Sequence, residues 1–210
     1  MRLPGLEYSI GSDLKREFAM ASADPAFAIT PLSGSESARL NQFTHVQRRQ
    51  DWLRGRNAMK QVLAALGRNA DTSHMEFPHR QFSLTHAGGS AFSIADTSGA
   101  AGIGIDYEPL RTVNPEIKRL FLNDTELRWL ESCQESEVQQ QLVRLWTIKE
   151  AAYKSCPDNS GRVLAEFSIV YPGSRISEVT VEPGSLRIRV ACKRHGEGFL
   201  SVAICEETSP

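Results

Sequence analysis

The chain has 210 residues, 40% of them apolar and 23% charged, with 24 Lys and Arg against 25 Asp and Glu and a formal net charge of −1. That length can bury a core without disulfides or metal, and the composition excludes a disordered or fibrous chain. The near-neutral balance excludes a generally basic nucleic-acid binder, although not a local basic patch, and no apolar run reaches the ~18 residues a membrane span needs.

Taken in chain order, Met1-Arg2-Leu3-Pro4-Gly5-Leu6-Glu7 holds no apolar stretch that could serve as a signal peptide. The first thirty residues are weakly patterned, and short strands are expected around Glu7–Ile10 and Phe27–Thr30. Ser33-Gly34-Ser35-Glu36 reads as a capped helix start. The helical pattern runs on, with room for a break, to Leu66, where Gly67 closes it. Its apolar stripe is Trp52, Leu53, Met59, Val62, Leu63 and Leu66. From Phe82 the period changes to two, and strands at 82–86, 91–95 and 101–107 predict an antiparallel meander ended by Pro109. Asn123-Asp124-Thr125-Glu126 is a second capped start. A short helix to about Cys133 follows, then a longer one from about Ser136 to Ser155, stopped by Pro157. The tail alternates again in four strands, Glu166–Tyr171, Glu178–Val181, Leu186–Cys192 and Phe199–Ile204. This order predicts an α+β protein of two pseudo-symmetric lobes, residues 1–108 and 109–210, each an antiparallel meander packed with helices. Two lobes in one chain make a monomer the natural state. Cys133, Cys156, Cys192 and Cys205 show no paired ligand spacing and read as reduced thiols of a cytoplasmic protein; only Cys192, near His195, has a candidate activating neighbour.

Four constellations could carry chemistry. In Gly102-Ile103-Gly104-Ile105-Asp106-Tyr107-Glu108, alternate side chains share a face, so Asp106 and Glu108 lie together opposite Ile103, Ile105 and Tyr107. Each carboxylate raises the other's pKa unless a cation relieves the repulsion, and a hard cation such as Mg²⁺ suits oxygen donors. A solvated strand end is the competing explanation. Gly104 would let a ligand approach closely. In Trp146-Thr147-Ile148-Lys149-Glu150-Ala151-Ala152-Tyr153-Lys154, residues four apart place Trp146, Glu150 and Lys154 on one helix face. Glu150 could complete a three-carboxylate site and Lys154 could neutralise a phosphate, or the two could be an ordinary surface pair. The segment Arg48 to Lys60 holds five basic residues and one acid, which suits polyphosphate or a plain solvated face. Gly55 within it implies close packing or close ligand approach. His86, before Ala87-Gly88-Gly89, could donate to a phosphate or be structural.

In combination, Gly-Ile-Asp-x-Glu on a strand and Trp-Thr-x-Lys-Glu-Ala-x-x-Lys on a later helix, with Leu-Thr-His-Ala-Gly-Gly and Arg-Gly-Arg upstream, resemble the signature of the phosphopantetheinyl transferases. The length resembles the two-lobed branch typified by surfactin synthetase activators. The resemblance implies Mg²⁺-dependent transfer of the 4′-phosphopantetheine arm of coenzyme A to a serine of an apo carrier protein, releasing adenosine 3′,5′-bisphosphate. It implies that Asp106, Glu108 and Glu150 hold Mg²⁺, that Glu150 is the general base, and that Lys154, with Lys149 the weaker candidate, contacts the pyrophosphate. It further implies that His86, Arg49 and Arg56 hold the 3′-phosphate, with a hydrogen bond from Thr85. Thr85 and Ala87 stand where relatives usually differ, and His79 or Arg80 stands near the place of a family lysine; Glu126 matches a family acid. Neither nucleic acid nor membrane is an implied partner. The alternatives are a Mg²⁺-dependent phosphohydrolase acting on coenzyme A or a nucleotide, and an inactive coenzyme A binder of the same fold.

Overall fold

The computed structural model describes residues 1–24, 30–100, 102–156, 159–181 and 186–206. The chain is an α+β protein built on two antiparallel sheets. The first two elements are α1 (Pro4–Leu14) and β1 (Phe18–Ala23). The strand expected at Glu7–Ile10 is therefore a helix. Pro4 opens it, where a fixed φ helps and no N–H is needed. Leu6, Ile10 and Leu14 recur every four residues and turn inward toward a core that also holds Ile94, Ile103 and Val202. Strand β1 is buried on both faces, so it shows no alternation to read. The strand expected at 27–30 falls almost wholly outside the described residues, as does Pro157.

Helices α2 (Gly34–Asn41) and α3 (Val46–Ala65) follow, then β2 (Phe82–Ala87), β3 (Ser90–Asp96) and β4 (Gly102–Pro109). The β2–β3 hairpin turns on Gly88 and Gly89, at φ 60° and 79°, the left-handed pair that suits a two-residue turn. Next come α4 (Lys118–Phe121), α5 (Asp124–Glu131), α6 (Glu135–Ser155) and strands β5 (Phe167–Ile169), β6 (Ile176–Val181), β7 (Leu186–His195) and β8 (Gly198–Glu206).

The sheets have the orders β1-β3-β2 and β4-β8-β7-β6-β5. The expected three-stranded meander of residues 82–107 is thus not formed. Strand β4 leaves β3 and pairs with β8 from Gly102↔Cys205 to Pro109↔Gly198. It lies beside β2 through a side chain instead: the Ile105 N–H donates to Ser83 Oγ at 3.0 Å.

Each half repeats one plan: a strand, a short capped helix, a long helix, and a closing hairpin whose last strand pairs with the first. The repeat extends to single residues. Ser33 and Glu36 form a capping box on α2, and Asn123 and Glu126 form one on α5. Each of these glutamates is fully buried and ion-paired to a buried lysine on the following long helix, Glu36–Lys60 at 2.6 Å and Glu126–Lys149 at 2.7 Å. Burial alone would raise the Glu36 carboxyl, but hydrogen bonds from Lys60, Thr72 and Ser33 overrule it and bring it down to about 2.

Two glycines set how the helices lie on the sheets. A Cβ on Gly104 would sit 1.9 Å from Ala151 O and 2.7 Å from Ser155 N, so its bareness admits the backbone of α6 rather than a ligand. A Cβ on Gly55 would meet the Leu84 side chain at 3.2 Å, which resolves that glycine as helix-to-strand packing.

Candidate functional site

The site forms where β4, β2 and α6 meet. Ile103, Ile105 and Tyr107 join the core shared with α1, so Gly104, Asp106 and Glu108 face α6, as alternation requires. Asp106 is 4% exposed. Its Oδ1 accepts from Lys154 Nζ at 2.7 Å and from Thr85 Oγ1 at 2.9 Å. Its Oδ2 is buried without a hydrogen-bond partner. Lys154 Nζ also lies 3.4 Å from Ile105 O. Glu108 stands at the mouth and pairs with Arg111 at 3.5 Å. Arg111, three residues beyond Glu108, is a site cation that the four constellations do not include.

The electrostatics tie the three acids together. Burial raises the Glu108 carboxyl, and the charge of Asp106 raises it further, against the pull of Arg111 and Lys154. Burial likewise raises Glu150; Lys154 opposes this, while Asp106 and Glu108 add to it. Asp106, Glu108 and Glu150 therefore feel one another across the seam. Even so, among the described residues no group of three or more His, Cys, Asp or Glu side chains lies close enough to hold a metal ion. In this arrangement the ammonium of Lys154 balances the charge of Asp106.

Several predicted residues sit elsewhere or are already engaged. Lys149 is fully buried, pairs with Glu126 and donates to Leu164 O at 3.3 Å, so it is not at the site. Glu126, whose part was open, caps α5 and also accepts from the Ile169 N–H at 2.8 Å, joining α5, α6 and β5. Thr85 is 4% exposed and donates to Asp106, which makes it a support for that carboxylate rather than a ligand of the cofactor. Arg56 lies over the Trp52 ring, 5.1 Å from its centroid, and donates to Thr72 O at 3.1 Å, so it packs the first lobe. Arg49 is exposed on the first turn of α3. His86 is exposed at the end of β2, within electrostatic reach of Asp51 on α3 and of Asp106 and Lys154. Burial raises the Cys192 thiol, against hydrogen bonding with Ser201 and Thr147, which removes it as a reactive thiolate.

Two cavities flank α6. One, of about 300 Å³, is lined by Pro78, His79, Phe82, His86, Tyr153 and Lys154 among others. The other, of about 390 Å³ and mainly apolar, is lined by Leu120, Phe121, Trp146, Glu150, Tyr153 and Val163 among others. Lys154 borders the first, Glu150 the second, and Tyr153 both. A further cavity of about 220 Å³ adds Arg80 beside His79 and Lys154. The geometry thus places Lys154, paired with Asp106, and Glu150 on one helix with a cavity on either side of it.

Residues 102–202, just under half of the chain and containing β4, α6 and the acids Asp106, Glu108 and Glu150, match the family model of the 4′-phosphopantetheinyl transferase superfamily. A solved holo-[acyl-carrier-protein] synthase of Thermotoga maritima is similar at 15% identity and a TM-score of 0.44, the match covering 52% of this chain and 66% of that one. A Mycobacterium tuberculosis acyl carrier protein synthase is similar at 21% identity and a TM-score of 0.37, covering 51% and 98%. No curated protein matches the chain. Among the described residues no helix is long and apolar enough to cross a membrane.

Proposed function

We propose that the chain transfers the 4′-phosphopantetheine arm of coenzyme A to a serine of an apo carrier protein, as a monomeric, two-lobed enzyme of the surfactin-synthetase-activator kind. The observation that carries the reading is the Asp106–Lys154 ion pair where β4 meets α6, with Glu108 and Glu150 within electrostatic reach of it, inside the segment that matches the superfamily model. The division into lobes of residues 1–108 and 109–210 is part of the same proposal, with the cleft at the seam.

The oxygens of Asp106, Glu108 and Glu150 are the hard donors that Mg²⁺ takes, but the three do not stand close enough in this arrangement to hold a metal ion together. The work belongs to the side chains. Glu150, its carboxyl raised by burial, is suited to take the proton of the carrier serine as its oxygen attacks the β-phosphorus. Lys154 reaches the pyrophosphate from the edge of the 300 Å³ cavity. His86 and Arg49 are the groups left to meet the 3′-phosphate, with His79 and Arg80 on the cavity wall nearby. The apolar cavity at Glu150 offers a place for the serine-bearing segment of the carrier. Arg111, Lys118 and Arg119 around the loop from Leu110 to Leu122 suit an acidic partner. The four cysteines, scattered without paired ligand spacing, accord with a reducing, cytoplasmic setting.

The test mixes the protein with apo carrier protein, coenzyme A and Mg²⁺ and weighs the carrier. A gain of one phosphopantetheine arm is expected, and Glu150→Gln should remove it while coenzyme A binding survives. Hydrolysis of coenzyme A with an unmodified carrier would replace this reading by a phosphohydrolase. Binding without any chemistry would leave an inactive binder.

A further inference from the structure

We propose that the buried Glu126–Lys149 ion pair positions one wall of the apolar cavity beside Glu150: acting through Leu164 and Phe167, it sets how far that wall stands from α6, and so how well the cavity admits the serine-bearing segment of the carrier. Neither Glu126 nor Lys149 lines the cavity. The inference rests on the reading of that cavity as the carrier's place, and adds the residues that hold it to shape.

The cavity has an inner side on α6, with Trp146, Glu150 and Tyr153, and an outer side that includes Arg162, Val163 and Leu164, on the approach to β5. Val163 is 55% exposed, so little packing holds it in place. Charge fastens the outer side to α6. Lys149, fully buried, pairs with Glu126 at 2.7 Å and donates to the Leu164 carbonyl at 3.3 Å. Glu126 in turn accepts from the Ile169 N–H at 2.8 Å. One ion pair thus grips the chain at residues 164 and 169. Phe167, buried between these two points, sets its ring 5.6 Å from that of Tyr153, edge to face at 62°. The same grip therefore places Leu164 on the outer side and supports Tyr153 on the inner side.

Apolar contact is non-directional, so a wall held by it alone could slide. Hydrogen bonds from and to charged groups are short and directional, and breaking a buried pair leaves a charge uncompensated. The gap is accordingly set by the reach of two side chains. Glu150 follows Lys149 on the helix and points about 100° away from it. The pair can fix the wall without touching the reacting face. A second pair of the same make provides a comparison inside the molecule. Glu36–Lys60 is equally buried, but it holds the Pro31 carbonyl and the Thr72 N–H in the first lobe, and none of those residues lines this cavity.

The test is steady-state transfer with apo carrier protein and coenzyme A varied in turn, in Glu126→Gln and Glu36→Gln. Glu126→Gln removes the charge and one of the two accepting oxygens. Its KM for the carrier is expected to rise about 10-fold, with the KM for coenzyme A unchanged. Glu36→Gln removes an equally buried charge and should leave the carrier KM at the wild-type value. An unchanged carrier KM in folded Glu126→Gln overturns the proposal. So does an equal rise in Glu36→Gln, which would mark general loosening. Should Glu126→Gln not fold, Lys149→Arg decides: it keeps the charge and changes the reach and the donor geometry, so the carrier KM must still rise, and an unchanged value overturns the proposal. Val163→Trp, at an exposed position on the wall, separates the two readings. A rise in carrier KM there but not in Glu126→Gln means that the cavity takes the carrier and the ion pair does not shape it. No rise there removes the cavity as the carrier's place, and a wild-type protein that leaves the carrier unmodified removes the transfer itself; either result overturns the proposal.

Discussion

Glu150 and Glu36 illustrate opposite outcomes for a carboxyl removed from water. Glu36 is answered by Lys60, Thr72 and the backbone of Ser33, and falls from 4.5 to about 2. Its contribution to stability is complete above the unfolded value of 4.5 and is lost as the pH drops toward about 2. Glu150 and Glu108 are raised instead. The folded protein then holds their protons more tightly than the unfolded chain does, so stability falls as the pH climbs above 4.5 through the raised values. In metal-free buffer, urea unfolding should show this decline, and Glu150→Gln should flatten it. A decline of equal slope in Glu150→Gln would mean that Glu150 ionises without strain. At this scale the acids and Lys154 were legible, because alternation on a strand and four-residue spacing on a helix fix which side chains share a face. Thr85, Arg56 and Lys149 were not. The direction of a buried side chain depends on partners far along the chain: Asp106, Thr72 and Glu126 in these cases.

Among the elements, the contact of β4 with α6 decides whether the cleft exists. Gly104→Ala would push a methyl group against the backbone of Ala151 and Ser155, where nothing can rotate aside. A loss of roughly 1–3 kcal/mol or more is expected in chemical denaturation. Transfer per folded molecule should fall as well, since Glu150 and Lys154 ride on α6. The buried ion pairs secure the same helices from the other side. Lys149→Met leaves Glu126 charged and enclosed, which should cost about 3–5 kcal/mol in urea unfolding. Pairing it with Glu126→Gln should recover part of that loss; no recovery would show that Glu126 matters through its cap on α5 alone. Capping signatures announced α2 and α5 in the sequence, because a cap is a local device. Helix α1 carried its signal in Leu6, Ile10 and Leu14, which a search for alternation passes over. Strand β1, buried on both faces, carried none.

For the molecule as a whole, the two halves are held at several points besides the cleft. Asp13 on α1 pairs with Arg175 and Lys193, and Arg189 donates to the Leu14 carbonyl. Phe92 of the first sheet packs against Tyr107 of the second, ring centroids 4.7 Å apart and planes tilted by 51°. Because the chain supplies both lobes and thus both walls of the cleft, light scattering should give the mass of one chain, 23.3 kDa. A trimer would mean that a neighbouring copy takes part. The sequence by itself determined the α+β class, the placement of most helices and strands, and the acids that share a face, since these follow from periods and caps within a few residues. Only the tertiary structure decided that β4 joins β8 and not β3, that Gly104 admits a helix, and that Lys149 is buried against Glu126. Pairing across a sheet and the choice of a buried partner are settled by burying apolar area and satisfying charge over the whole chain, and no local pattern encodes that balance.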